Sequence, residues 1–206
     1  PLCKDIVMRF IGFAEDNLHN KSTDIWHDHA MAYRVSYISY FYERGLAAQL
    51  DADERSRLRR MMDFQTDALK GFMRRESPPL NNHTIFHSEA IADASLVFSE
   101  NPADDIDLCQ HTLERLLKTV VDRSTGITNE QAAFYHVFLI GRLMDTRSFF
   151  ADRGVGLPGY DDELFSKMVA FQEQIEPRPG ILPAYGDTKH EQPYSDEFLA
   201  RAKARP

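Results

Sequence analysis

Cysteine is nearly absent. Cys3 and Cys109 are the only two in 206 residues, so no disulfide framework is implied, and two free thiols do not fix a compartment. Long apolar runs are missing too: none approaches the roughly 20 residues that a membrane-spanning helix needs. Positive charge is in deficit, with 24 Lys and Arg against 32 Asp and Glu and a net charge of -8. That disfavours nucleic acid as a partner, because phosphate binding needs a basic surface. It leaves acidic sugars open, since a few local Arg and Lys residues suffice to line a cleft. There is no convincing strand-like alternation, no Gly-rich phosphate loop after a strand, and no serine nucleophile elbow. The sequence begins at Pro1 without an initiator Met or a signal peptide and ends in the polar stretch Leu199–Pro206. The expectation is a single helical domain over 1–206, excised from a longer chain whose export signal and downstream domain lie outside it.

What is present is helical periodicity from end to end. The pattern predicts a first helix from Lys4 to Leu18 and a second from Ile25 to Leu50, with Thr23 or Asp24 as its N-cap. A third runs from Asp51 or Asp53 to Arg75 and is stopped by Ser77-Pro78-Pro79. A fourth spans Asn82 to Phe98, a fifth Asp104 to Val121, a sixth Asn129 to Phe150 and a seventh Asp161 to Glu176. An irregular segment, Arg178 to Pro193, precedes a short polar helix. The second, fourth and sixth helices carry His, Tyr, Asn and Phe near their starts, whereas the third, fifth and seventh read as charged amphipathic covers. His27 and His29, then His83, then His136 recur at a spacing of two helices plus two connections. Polar, aromatic helices alternating with plain ones imply an all-α fold, an incomplete toroid of antiparallel helical hairpins. A solenoid or bundle with solvent-facing polar residues is the alternative.

Three stretches carry a resemblance: Trp26-His27-Asp28-His29-Ala30-Met31-Ala32-Tyr33-Arg34, Asn81-Asn82-His83, and Asn129-Glu130-Gln131-Ala132-Ala133-Phe134-Tyr135-His136-Val137-Phe138. Ile181-Leu182-Pro183-Ala184-Tyr185-Gly186-Asp187 is a weaker fourth. In order and spacing they resemble the N-terminal (α/α) toroid domain of the heparinase II/III and alginate lyase group of polysaccharide lyases. The resemblance implies a periplasmic or secreted enzyme acting on a uronic-acid-containing polysaccharide, such as a glycosaminoglycan. It also implies a C-terminal β-sandwich domain, which completes the cleft in that group and is absent from this chain, so the chain alone is expected to be inactive or incomplete. The acidic polysaccharide and the missing sandwich are the expected partners. No nucleic acid, membrane or cofactor is expected.

The chemistry of such a lyase is β-elimination: the C5 proton of a uronate leaves and the oxygen at C4 is expelled. A side-chain amide and an imidazole suit the adjacent carboxylate, because preorganised donors stabilise the charge that develops on it. A phenol can act as base or acid once its surroundings tune it. By resemblance, Asn82 matches the carboxylate-binding Asn, His83 its neighbouring His, and Tyr135 the catalytic Tyr. Asn82 and His83 open a helix, where free N–H groups and the positive dipole end favour an anion. The structural alternatives are a helix cap for an Asn at 81 or 82, a surface or capping His for His83, and core packing for Tyr135. Arg34 is a candidate for a sugar carboxylate or sulfate, with an ion pair to Asp28 or Glu89 as its structural alternative. Trp26, Tyr33, Tyr37 and Tyr40 are candidates for stacking on sugar rings, against the commoner role of core aromatics. His136 is expected to support the site or pack in the core, and Asp187 and His190 lie on a loop able to reach a cleft. His83 and His87 share a helix face at metal-ligand spacing. No third ligand is identifiable from sequence, so no metal is expected. Two other functional classes stay open: a non-catalytic carbohydrate-binding helical module, and a toroid-fold glycoside hydrolase using carboxyl groups among Asp28, Glu89 and Glu130.

Overall fold

The computed structural model describes residues 2–20, 24–75, 80–129 and 132–189. Among these the regular structure is helical, with two isolated bridges, Val121–Thr128 and Arg178–Ile181. The helices are α1 (Leu2–Asp16), α2 (Asp28–Phe41), α3 (Ala52–Met73), α4 (Asn82–Phe98), α5 (Ala103–Val120), α6 (Ala133–Ala151) and α7 (Asp162–Ile175). The all-α expectation holds. Thr23, the Ser77-Pro78-Pro79 stop, Glu130, Gln131, His190 and the short polar helix near the end lie outside the described residues. The described helices fall into two compact units, Pro1–Pro79 with Phe86–Thr112, and Leu80–Ile85 with Leu113–Pro206. The continuous helices α4 and α5 contribute to both.

In the first unit α1 and α2 both pack on α3. The contacts follow helical spacing: Val7, Ile11 and Ala14 are buried on α1, Met31, Val35 and Ile38 on α2, and Leu58, Met62 and Leu69 on α3. A fully buried Leu or Ile side chain is worth roughly 1.5–3 kcal/mol, so these stripes set the geometry. The start of α3 is fixed locally. The Asp51 carboxylate accepts from the Glu54 N–H at 2.9 Å, while the Asp51 N–H donates to the Glu54 carboxylate at 2.9 Å. This reciprocal capping box satisfies two otherwise orphaned donors. At the same end, Lys4 pairs with Glu54 at 2.7 Å, and Arg57 pairs with Glu15 of α1 at 2.5 Å.

The second predicted helix is shorter than its periodicity implies. Asp24–Trp26 form a 3-10 turn, and α2 starts after His27, whose extended backbone (φ -61°, ψ 132°) takes the cap position expected at Thr23 or Asp24. Beyond Phe41 the chain passes through a widened turn, Tyr42–Leu46, and a 3-10 turn, Ala47–Gln49. Gly45, at φ 112°, breaks the ladder. A side chain there would be strained, so glycine rather than hydrophobic pattern ends this helix.

In the second unit α6 packs on α7. Val137, Ile140 and Leu143 of α6 and Leu164, Phe165 and Met168 of α7 are buried. The Asp161 carboxylate caps α7 by accepting from the Leu164 N–H at 2.9 Å, and Arg123 pairs with the same residue at 2.6 Å. The sixth helix begins at Ala133, not Asn129. Asn129 is spent on closing the preceding loop: its N–H bonds the Val120 carbonyl at 2.9 Å and its side-chain amide the Thr119 carbonyl at 2.8 Å. Tyr135 therefore sits in the first turn of α6. The loop between Val121 and Thr128 lies hard against α7. A Cβ on Gly126 (φ 77°) would fall 2.4 Å from the Lys167 carbonyl carbon and the Met168 nitrogen.

Candidate functional site

The start of α4 answers which asparagine caps the helix. The Asn81 side-chain oxygen accepts from the His83 N–H at 3.0 Å. The Asn81 N–H donates to the Thr84 hydroxyl at 3.3 Å, and the Thr84 N–H to the Asn81 carbonyl at 3.0 Å. Asn81 thus takes up the capping work. The neighbouring Asn82 is half-buried, and its side-chain amide has no hydrogen-bond partner among the described residues. It stands at the positive end of a helix of 17 residues, a setting that favours an anion. His83 follows, also half-buried.

Tyr135 belongs to the same unit and is half-buried, not sealed in the core. Its ring lies edge-on to Phe134 (5.6 Å) and Phe138 (6.4 Å). Its hydroxyl makes no hydrogen bond among the described residues. Those edge contacts hold the ring and leave its oxygen uncommitted.

His136 packs in the core, one of the two placements expected for it. It is 1% exposed; Nδ1 meets the Thr128 hydroxyl at 3.1 Å and Nε2 the Met168 carbonyl at 3.0 Å. Nε2 must carry the proton in the neutral ring, because a carbonyl only accepts, and Nδ1 then accepts from Thr128. Burial holds its pKa below the ordinary value, partly opposed by the Met168 carbonyl. With both nitrogens engaged, His136 has no atom to offer a sugar. It fastens the loop before α6 to α7.

In the first unit Arg34 is also committed to the fold. Its Nε donates to the Gln65 side chain at 2.9 Å, a terminal nitrogen donates to the Ile25 carbonyl, and the guanidinium lies 4.9 Å from the Phe10 ring centre. The ion pair to Asp28 or Glu89 is not made, and burial pushes the guanidinium down to about 10. Two neutral acceptors and an aromatic face hold the cation in place of a carboxylate. Trp26 is similarly engaged: its indole N–H donates to the Asn17 carbonyl at 3.1 Å and its ring packs edge-on to Phe64. Both side chains are half-buried and held by contacts within the fold.

The aromatic residues that face solvent are others. Tyr33, Tyr37 and Tyr40 are 44%, 59% and 50% exposed, so the expectation that such a stripe is core fails for them. Tyr33 stacks on His29 at 4.9 Å and on Tyr37 at 6.3 Å, with interplanar angles of 17° and 18°. These one-turn spacings build a ladder of near-parallel rings along α2. Asp187 lies on the exposed loop after Tyr185. Sequence reasoning underrated Asp28. Its carboxylate meets His27 Nδ1 at 3.2 Å through one oxygen and His87 Nε2 at 3.1 Å through the other. The signal was legible as the run His27-Asp28-His29, but its partner His87 is far off in sequence.

No family model, no curated protein and no solved structure matches this chain. Among the described residues no helix is long and apolar enough to cross a membrane.

Proposed function

We propose that this chain is the helical portion of a polysaccharide lyase that cleaves a uronate-containing polymer by β-elimination, with its helices forming an incomplete toroid. The observation that carries this reading is the division of labour at the start of α4. Asn81 makes the cap, so the Asn82 amide at the positive end of the helix is uncommitted among the described residues. That is the donor a uronate carboxylate needs if its C5 proton is to become acidic. Tyr135, with an uncommitted hydroxyl in the same unit, is the proton-transfer group. His83 beside Asn82 adds a second polar group at the carboxylate end. Arg34, Trp26 and His136 take no direct part in binding.

The test uses the full-length protein and a panel of uronate polymers, following the ultraviolet absorbance of the unsaturated product. Asn82→Ala and Tyr135→Phe each lower turnover by at least about a hundredfold, the scale of a lost preorganised donor or a lost acid–base group. Full activity in both variants ends the assignment. Saturable polymer binding without any unsaturated product, and indifferent to Tyr135→Phe, would mark a non-catalytic carbohydrate-binding module instead.

A further inference from the structure

We infer that the first unit holds a binding site of its own, a polar cavity between α3 and the ends of α4 and α5 that takes a small neutral polyol. Every residue lining it belongs to that unit. On α3 the lining residues are Arg59, Met62, Asp63, Thr66, Asp67 and Lys70, at the three- and four-residue spacing of one helix face. A face turned toward neighbouring helices is ordinarily apolar; of these six side chains only Met62 is. The opposite wall is Ala94 and Phe98 of α4, one turn apart, with Ser99 just beyond its end and Asp105 in the first turn of α5.

The cations on this wall are already matched, each through part of a carboxylate. Lys70 Nζ lies 2.6 Å from Asp105 Oδ2, which also accepts from the Ser95 hydroxyl at 2.5 Å. Arg59 Nε donates to Asp63 Oδ1 at 3.2 Å. The second oxygens of Asp63 and Asp105 and the terminal nitrogens of Arg59 make no hydrogen bond among the described residues. Thr66 is 6% exposed, and its hydroxyl is buried without a partner among them. Buried polar groups are almost always satisfied, so an unpaired hydroxyl beside an open cavity marks a place for a ligand group. Free acceptors and free donors together call for a ligand that does both, as hydroxyls do. Three carboxylates against two cations repel an anion. Asp67, the carboxylate in excess, has a side chain 75% exposed, so water rather than a bound cation hydrates its charge. A neutral polyol leaves the Lys70–Asp105 and Arg59–Asp63 pairs intact, and Met62, Ala94 and Phe98 offer apolar surface to its C–H groups. The cavity measures about 100 Å³ and is partly open to solvent. That is below the roughly 150 Å³ that holds a benzene ring, so it admits one small polyol, or one sugar ring partly inserted, and no longer chain.

This site does not rest on the lyase reading and is tested without turnover. Glycerol, myo-inositol and D-glucose are each titrated into the full-length protein, with binding followed by saturation-transfer NMR. Glycine, methylammonium and acetate serve as charged probes. At least one neutral polyol binds saturably; inositol or glucose ahead of glycerol marks a ring as the ligand, and the reverse order an open chain. Thr66→Val keeps the shape of the side chain and removes only the unpaired hydroxyl. It weakens binding about three- to tenfold, the scale of one neutral hydrogen bond, without lowering the melting temperature of the free protein. Arg59→Gln, at an exposed position, weakens binding as well. Arg60→Gln, whose guanidinium bonds Ser56 and does not line the cavity, leaves it unchanged. Absence of saturable binding by all three polyols, binding of a charged probe in their place, or equal affinity in wild type, Thr66→Val and Arg59→Gln overturns the inference.

Discussion

Gly126 and Gly154 make a matched pair from which the cost of a close approach can be read. Both have positive φ, 77° and 73°, so an alanine at either position carries the left-handed penalty of about 1–2 kcal/mol. They differ in surroundings. Around Gly154 a new Cβ meets nothing within 4 Å, whereas at Gly126 it falls 2.4 Å from backbone atoms of Lys167 and Met168. Carbon contacts are comfortable at about 3.5–4.0 Å, so the loop must lift off α7 by roughly 1 Å. Lifting strains the bonds that fasten it, from Thr128 through His136 to Met168 and from Lys167 to the Arg123 carbonyl. Overpacking of this kind typically costs a further 1–3 kcal/mol. Gly126→Ala should therefore lose about 2–5 kcal/mol and Gly154→Ala about 1–2 kcal/mol. At roughly 2–4 °C per kcal/mol for a chain of this size, the first melts about 10 °C lower and the second about 4 °C lower. Thermal unfolding followed by circular dichroism measures both. Equal shifts in the two variants would refute the contact between this loop and α7, and with it the account of how the start of α6, and so Tyr135, is held.

His136 gives a pH dependence. Its folded pKa lies below its unfolded value of about 6.5, so its contribution to stability is complete above pH 6.5 and is lost as pH falls through the depressed folded value. The urea midpoint of the wild type should drop over that window more steeply than that of His136→Gln; parallel profiles would contradict the buried neutral ring. Asp51→Ala removes the capping box of α3 and should cost about 1 kcal/mol in a denaturant titration, whereas Asp51→Ser should recover most of it. Arg34→Lys cannot reach both the Gln65 side chain and the Ile25 carbonyl with a planar fork and should lose about 1–2 kcal/mol, two hydrogen bonds' worth. No change in the urea midpoint would mean that those bonds contribute nothing.

The sequence reveals the helices more fully than it reveals their ends. The fourth helix is expected from Asn82 to Phe98, and those are its bounds, because the asparagine before it is a local cap signal. The second is misjudged, because the apolar pattern of α2 continues through Tyr42 and Leu46 while one backbone angle at Gly45 interrupts the helix. The sixth is misjudged because Asn129 resembles a cap but bonds backward to Thr119 and Val120. Site residues divide on the same principle. Whether a polar side chain is available depends on what it meets across the fold, and periodicity carries no record of Gln65 facing Arg34, of Met168 facing His136, or of Asp28 facing His87. The opposite fates of Tyr33 and His136, one open to solvent and one shut in, could not be told from their spacing.

Two adjacent residues of identical chemistry open α4, and the structure gives them separate obligations. Position 81 answers to the backbone of its own helix, so serine, threonine or aspartate would serve there nearly as well. Position 82 has no side-chain hydrogen bond among the described residues, so under the proposed function substitutions there would register in turnover rather than in stability. If the proposed function holds, drift in natural variants should be permissive at the first of the pair and restrictive at the second, a contrast that separates duty to the fold from duty to a ligand without any assay.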